Sequence, residues 1–205
     1  MPRPVRHGQR HHSHRKVGLD DSQPALPDRQ RHHLYAEVGL DYGQLALPQG
    51  NGRDHRGESQ LYSDSGILAG VRWIDRPYER LSLEAATHLI NVRGRGDTDT
   101  YEIIADVELG GRVRFYQGRR LDLSLFGGGL TAAGAEFGYD YSAPQFMSRN
   151  GGVVRGVIDL KDRSRIPVAY FGLGALGGGS VINSDGVTFL GGFWSVMGTF
   201  GLRFY

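Results

Sequence analysis

The chain has 205 residues, 24 Arg and Lys against 22 Asp and Glu, 32 Gly and no Cys. One domain is expected at this length, the lack of Cys excludes a disulfide framework and a thiolate metal site, and so much Gly without a collagen period suits an all-β chain with tight turns. No run of 18 apolar residues exists, which excludes a transmembrane helix but not a membrane barrel, where only every second residue faces lipid.

Residues 1–33 stand apart. They hold seven Arg/Lys, three Asp and six of the eight His, leaving 17 Arg/Lys against 19 Asp/Glu in the rest. The basic pI of about 9.0 therefore belongs to this leader, and the body, at net −2, gives no reason to expect a nucleic-acid partner. The leader has no hydrophobic period and no apolar core of a signal peptide. It does hold a degenerate copy of the segment C-terminal to it. Gln9-Arg10-His11-His12 recurs as Gln30-Arg31-His32-His33, and Val17-Gly18-Leu19-Asp20 recurs as Val38-Gly39-Leu40-Asp41. The offset is 21 residues, with 12 matches in 19 positions. Asp21 stands where the second copy has Tyr42, and Pro24 where it has Leu45. Residues 1–33 are thus expected to be a disordered, duplicated segment without a visible export signal. His7, His11, His12 and His14 lack an acidic or Cys partner, so they read as a solvated tail, and no metal or cofactor is expected.

From Leu34 the chain reads as eight strands divided by turn signals. Strand one, Leu34–Leu47, places Leu34, Ala36, Val38, Leu40 and Tyr42 on one face, with Glu37 and Asp41 on the other. Strand two, Leu61–Ile74, sets Ile67, Ala69, Val71 and Trp73 against Arg72. Strand three, Leu81–Val92, sets Leu81, Leu83, Ala85, Thr87 and Leu89 against Ser82, Glu84 and His88. Strand four, Tyr101–Tyr116, alternates most cleanly: Tyr101, Ile103, Ala105, Val107, Leu109, Val113 and Phe115 oppose Glu102, Asp106, Glu108, Arg112 and Arg114. Strand five, Leu121–Ala133, carries Asp122, Ser124 and the run Gly127–Gly129, which permits sharp curvature or close packing. Strands six (Gly152–Leu160) and seven (Ile166–Leu176) alternate less well. Strand eight runs from about Phe189 to the end.

The links alternate in length: about 13 residues after strand one, then Asp75–Arg80, Arg93–Thr100, Gln117–Arg120, Gly134–Gly151, Lys161–Arg165 and Gly177–Val187. Long links at one end and short turns at the other, with both termini on the short-turn side, fit an up-and-down barrel. In the last twelve residues, Trp194, Val196, Phe200, Leu202 and Phe204 share one face, and Ser195, Thr199 and Arg203 the other. This aromatic strand at the C-terminus resembles the closing strand of small bacterial outer-membrane β-barrels of the OmpA/OmpX kind. In that family the final residue is usually a Phe in phase with the apolar row; here Phe204 is in phase and Tyr205 lies one residue beyond.

The resemblance covers 34–205 and implies an all-β, eight-stranded antiparallel up-and-down transmembrane barrel in a bacterial outer membrane. It implies contact with outer-membrane lipid and lipopolysaccharide, recognition of the C-terminal strand by the barrel-assembly machinery, and a monomer. Alternation alone also fits a soluble barrel with the apolar row inside, binding an apolar ligand. Two residue patterns favour the inverted arrangement. The polar row carries both charges, Glu37, Asp41, Arg72, Glu84, Glu102, Asp106, Arg112, Arg114 and Asp122, which can pair in a lumen just wide enough for side chains. Aromatics also cluster near the strand ends: Tyr42 and Tyr101 at one edge, Trp73, Phe115 and Phe204 at the other, as interface girdles do.

Barrels of this architecture include lipid A deacylases and palmitoyl transferases that use Ser, His and an acid. His88 is the only His within an expected strand, with Ser82 and Glu84 on its row and Ser124 on another strand. The His-Ser pair of those enzymes is absent, and residues two apart on a strand stand about 6–7 Å apart, too far for a hydrogen bond by spacing alone. Gly127–Gly129 and Gly177–Gly179 lack the Lys-Ser/Thr of a phosphate loop. Arg93-Gly94-Arg95-Gly96 reads as a solvated loop with some capacity for anions. The expected function is a non-enzymatic membrane barrel with a structural or surface-interaction role, with a lipid A-modifying enzyme as the alternative.

Overall fold

The computed structural model describes residues 31–48, 59–95, 100–138, 144–184 and 187–204. Residues 1–30, with the His cluster, lie outside the described residues, as do Gly96 and Tyr205. Eight strands follow in order: β1 (His32–Pro48), β2 (Ser59–Asp75), β3 (Leu81–Arg95), β4 (Thr100–Gln117), β5 (Leu121–Gly138), β6 (Gln145–Lys161), β7 (Pro167–Ser184) and β8 (Val187–Phe204). Each pairs antiparallel with the next, and β8 closes on β1 with Leu34 opposite Phe204. β1 starts and β8 finishes at one end, here the turn end, with the β2–β3, β4–β5 and β6–β7 links. The other four links lie at the loop end.

Several boundaries differ from those the sequence suggested. β1 starts two residues early, at His32, and β3 continues to Arg95. β6 starts at Gln145 instead of Gly152, and β7 runs on to Ser184. The expected long links Gly134–Gly151 and Gly177–Val187 therefore shrink to 139–144 and 185–186. The cause is chemical. The outward row of these extensions is mostly glycine or short and polar, as at Ser148, Asn150, Gly177, Gly179 and Asn183, so they lack the apolar period that marks a strand. Their ladders continue nevertheless, and outward polar pairs knit them: the Thr131 hydroxyl donates to Asn150 Oδ1 at 2.8 Å, and the Thr188 hydroxyl to Asn183 Oδ1 at 2.8 Å. Asp185-Gly186 is also the dipeptide that two-residue hairpins favour.

Two bulges adjust the pleat. In β3, Leu89 and Ile90 together oppose Ala105, and both face outward. Strict alternation would have turned Ile90 and Val92 into the lumen; the extra residue brings Asn91 and Arg93 there instead. Arg93 is therefore not part of a solvated anion-contacting loop. In β4, the step between Arg114 and Tyr116 leaves Phe115 and Tyr116 both exposed, at 70% and 51%.

The two faces of the wall have opposite chemistry. Val38, Leu40, Ile67, Leu83, Ile103, Leu109, Leu125, Leu173 and Leu202 all point out and stand about half exposed or more. Glu37, Arg72, Glu84, Glu108, Arg112, Arg155 and Asp159 point in and are buried. A soluble barrel with the apolar row inside is thus not the arrangement adopted; a continuous apolar exterior around a charged interior is that of a transmembrane barrel. Strands of 15 to 18 residues, at about 3.3 Å per residue and a tilt of about 40°, rise roughly 40 Å, beyond the ~25 Å apolar band such barrels present. The surplus lets both ends of the wall reach past the lipid core.

Candidate functional site

The lumen holds two charged clusters and a bridge between them. The first centres on Arg72. Its guanidinium donates to both Glu37 oxygens, at 2.6 and 3.0 Å, to Glu108 at 2.7 Å and to the Tyr170 hydroxyl at 3.1 Å, with Glu84 at 3.3 Å. Arg155 donates to the same Glu108 oxygen at 2.7 Å and lies over the Phe126 ring, 4.6 Å from its centre. Arg112 pairs with Glu84 and donates to Asp159 at 2.9 Å, and Arg76 reaches Asp159 at 3.0 Å. Every carboxylate here meets at least one guanidinium, which makes the burial of so much charge tolerable.

The second cluster lies nearer the loop end. Arg93 pairs with Asp41 and donates to Asp64 at 3.0 Å; Arg149 donates to Asp64 at 3.1 Å and to Glu102 at 2.6 Å. Between the clusters, Asp106 accepts from His88 Nδ1 at 2.5 Å and from Asn91 at 2.9 Å, and Asn91 Oδ1 in turn accepts from Arg93 at 3.4 Å. The far side of the His88 ring lies 3.6 Å from Glu37. Leu68, Ile104, Ala132, Leu176, Phe193 and Met197 fill the rest of this level. The gap left among them is about 10 Å³, the space of a single water at most.

Each polar-row residue singled out from sequence lines this lumen. Arg114 reaches Asp122 at 3.4 Å near the turn end, where Lys161 also holds Asp122, at 2.5 Å. Sequence reasoning missed Asp64, Arg93, Glu136, Arg149, Arg155, Asp159 and Tyr170, all buried. Arg149 fell in an expected loop and Arg93 beyond a bulge. In β6, Val153 and Val157 share the lumen row with Arg155 and Asp159, which blurred the polar row.

The serines singled out from sequence, Ser82 and Ser124, do not meet His88. Ser82 pairs with Arg112 across the β3–β4 ladder, whereas His88 pairs with Asp106. Six residues separate them, about 20 Å along the strand. Ser124 pairs with Arg114, on the Ser82 side, and the space beside both serines, bounded by Arg112, Arg114 and Asp159, has no room for a water. Glu84 is taken up by Arg72 and Arg112. His88 itself is 1% exposed. Among the described residues, no group of three His, Asp or Glu is placed to hold a metal.

Exposed aromatics stand at both edges of the wall. Tyr42, Tyr101, Phe146 and Trp194 lie toward the loop end, with Tyr101 stacked on Phe137 at 5.2 Å. Trp73, Phe115, Tyr116 and Phe204 lie toward the turn end, and His32 stacks on Trp73 at 6.1 Å.

No protein-family model matches the chain, and no curated protein matches it significantly. Solved structures do. The outer membrane protein OprG from Pseudomonas aeruginosa is 12% identical, with 84% of this chain and 98% of that one covered and a TM-score of 0.50. Neisserial surface protein A is 11% identical over 83% and 97%, with a TM-score of 0.48. Ail of Yersinia pestis is 13% identical over 84% and 99%, with a TM-score of 0.34. At such identities the likeness is one of fold: this chain has the closed eight-stranded architecture of small outer-membrane β-barrels.

Proposed function

We propose that the chain spans a Gram-negative outer membrane as a closed, non-conducting barrel and acts through its loop-end surface, in a structural or surface-contact role without catalysis. The observation that carries this reading is the filled lumen: two ion-pair clusters joined through His88, with a gap of about 10 Å³ between them. A lumen of that kind gives a rigid wall and no aqueous path. The burial of His88, far from Ser82 and Ser124, supports the non-enzymatic part. On this reading outer-membrane lipid and lipopolysaccharide surround the wall, the barrel-assembly machinery reads β8, and the protein is monomeric.

Two measurements on the refolded full chain test it. Unboiled and boiled samples on an SDS gel should run at different positions, because closed membrane barrels stay folded in SDS until heated. In planar lipid bilayers the folded protein should give no steady channel current. A stable unitary conductance would overturn the sealed-lumen reading, and a protein that stays soluble without detergent would overturn the membrane one.

A further inference from the structure

The three turn-end links, 76–80, 118–120 and 162–166, contain six Arg and two acids in thirteen residues. The segments between strands at the loop end, 49–58, 96–99, 139–144 and 185–186, contain two Arg and six acids. The barrel thus carries a charge asymmetry from end to end, and its positive end is hollow. A cup of about 610 Å³ opens at the turn end, in the size range of small-molecule sites. Its lining includes Arg76, Arg114, Arg119, Lys161 and Arg165, against Glu79 and Asp122.

The cations of this cup fall into two sets. Arg76, Arg114 and Lys161 sit deep and are held by Asp159 and Asp122, and Asp159 is already shared with Arg112. Arg119 and Arg165 stand at the rim, with no acidic side chain within 4.0 Å among the described residues. Arg165 is also the one described non-glycine residue in the left-handed region, at φ 63°. That conformation is strained for an L-residue, and glycine would avoid it. The turn enforces it: the Arg165 amide donates to the Asp162 carbonyl at 3.1 Å, and the Ile166 amide to Asp162 Oδ1 at 2.9 Å. A strained backbone position thus carries an uncompensated guanidinium at the rim of a basic cavity.

We propose that this cup is a binding site for a small phosphate-bearing anion, gripped at the rim by Arg119 and Arg165 and attracted by the excess positive charge below them. Guanidinium forks match phosphate oxygens in pairs, and two unpaired forks lining one opening suit an anion with more than one phosphate. The site goes beyond the sealed-barrel function and does not rest on it, since it lies outside the filled section of the lumen.

Tripolyphosphate titrated into the detergent-refolded full chain at low salt, followed by calorimetry, tests the proposal. Saturable binding is expected, weakened about tenfold or more in the Arg119→Ser/Arg165→Gly variant through the loss of two charge-assisted contacts. Gly at 165 relaxes the left-handed turn, so this variant should keep its heat-dependent gel shift. Arg163→Ser removes a charge from the same turn outside the cup and should leave affinity nearly unchanged. Micelles doped with phosphatidylglycerol separate two sources of phosphate: competition assigns the cup to a lipid headgroup, and undiminished binding to a soluble anion. No binding by the parent chain, unchanged affinity in the double variant, or an equal loss in Arg163→Ser would overturn the site.

Discussion

The inner and outer faces of the same eight strands obey different rules. On the outside, Val38, Leu83, Leu109 and Leu202 meet no specific partner, and apolar character is what each position requires. On the inside, each charged side chain has a designated partner, and Arg72 alone touches Glu37, Glu84, Glu108 and Tyr170. Lipid solvates the wall indifferently, whereas no solvent replaces a missing lumen partner. Identity therefore matters inside and polarity outside, and substitutions matched across the wall separate the two.

The largest expected effect is at Arg72. Arg72→Ala takes a guanidinium from Glu37, Glu84 and Glu108 in a dry lumen, where Arg112 keeps its pair with Glu84 but Arg155 alone must serve both Glu37 and Glu108. A loss of about 3–5 kcal/mol is expected from breaking a buried pair on one side. Val38→Ala, on the wall beside Glu37, should cost about 1 kcal/mol. Urea unfolding in lipid vesicles measures both. If the two losses are equal, the lumen cluster is not what holds the barrel closed.

A change of polarity on the wall comes next. Val107 faces outward on β4, opposite Thr131 on β5. Val107→Arg should cost about 2–4 kcal/mol at mid-membrane and Leu190→Arg, near the loop end of β8, about 0–1. The gradient between them locates the lipid core. Equal small costs at both positions would mean that the exterior does not meet hydrocarbon, and would undo the membrane reading while leaving the lumen argument standing.

Legibility in the sequence divides along the same line. The wall row showed itself wherever apolar side chains alternate, as from Tyr101 to Leu109, and those assignments carried the strand number, the topology and the direction of each face. The signal failed where the outer row is glycine or short and polar, as at Ser148 and Asn150, because backbone hydrogen bonds there sustain a strand that no hydrophobic period announces. The lumen was legible only as a row. Partners such as Arg149 with Glu102, 47 residues apart, depend on barrel closure and register, and Arg93 entered the lumen through one extra residue at Leu89–Ile90. No local pattern encodes either. The basic cup was hidden for the same reason: its cations come from three short turns and the strand ends beside them, separated in sequence and joined only by the ring of strands.

The smallest contrast is the sharpest, because it uses one atom on each face of one strand. Gly201 and Gly198 both lie on β8, three residues apart. A methyl group on Gly201 would run into the ring of Tyr170, which is edge-on to Tyr35 at 5.2 Å and bonded to Arg72. Gly198 faces outward with nothing within 4 Å of an added Cβ. Gly201→Ala must displace Tyr170, and with it a hydrogen bond of the Arg72 cluster, for a cost of about 1–3 kcal/mol by overpacking. Gly198→Ala adds apolar surface to a strand in the extended conformation and should be neutral or slightly stabilising. Should Gly201→Ala also be neutral, Tyr170 has room to move, and the lumen is held by charge pairing rather than by the fit of its rings. Combining Gly201→Ala with Tyr170→Phe discriminates further: if the cost lies in the Arg72 hydrogen bond, the double variant loses no more than Tyr170→Phe alone, and if it lies in the ring's volume, the two losses add.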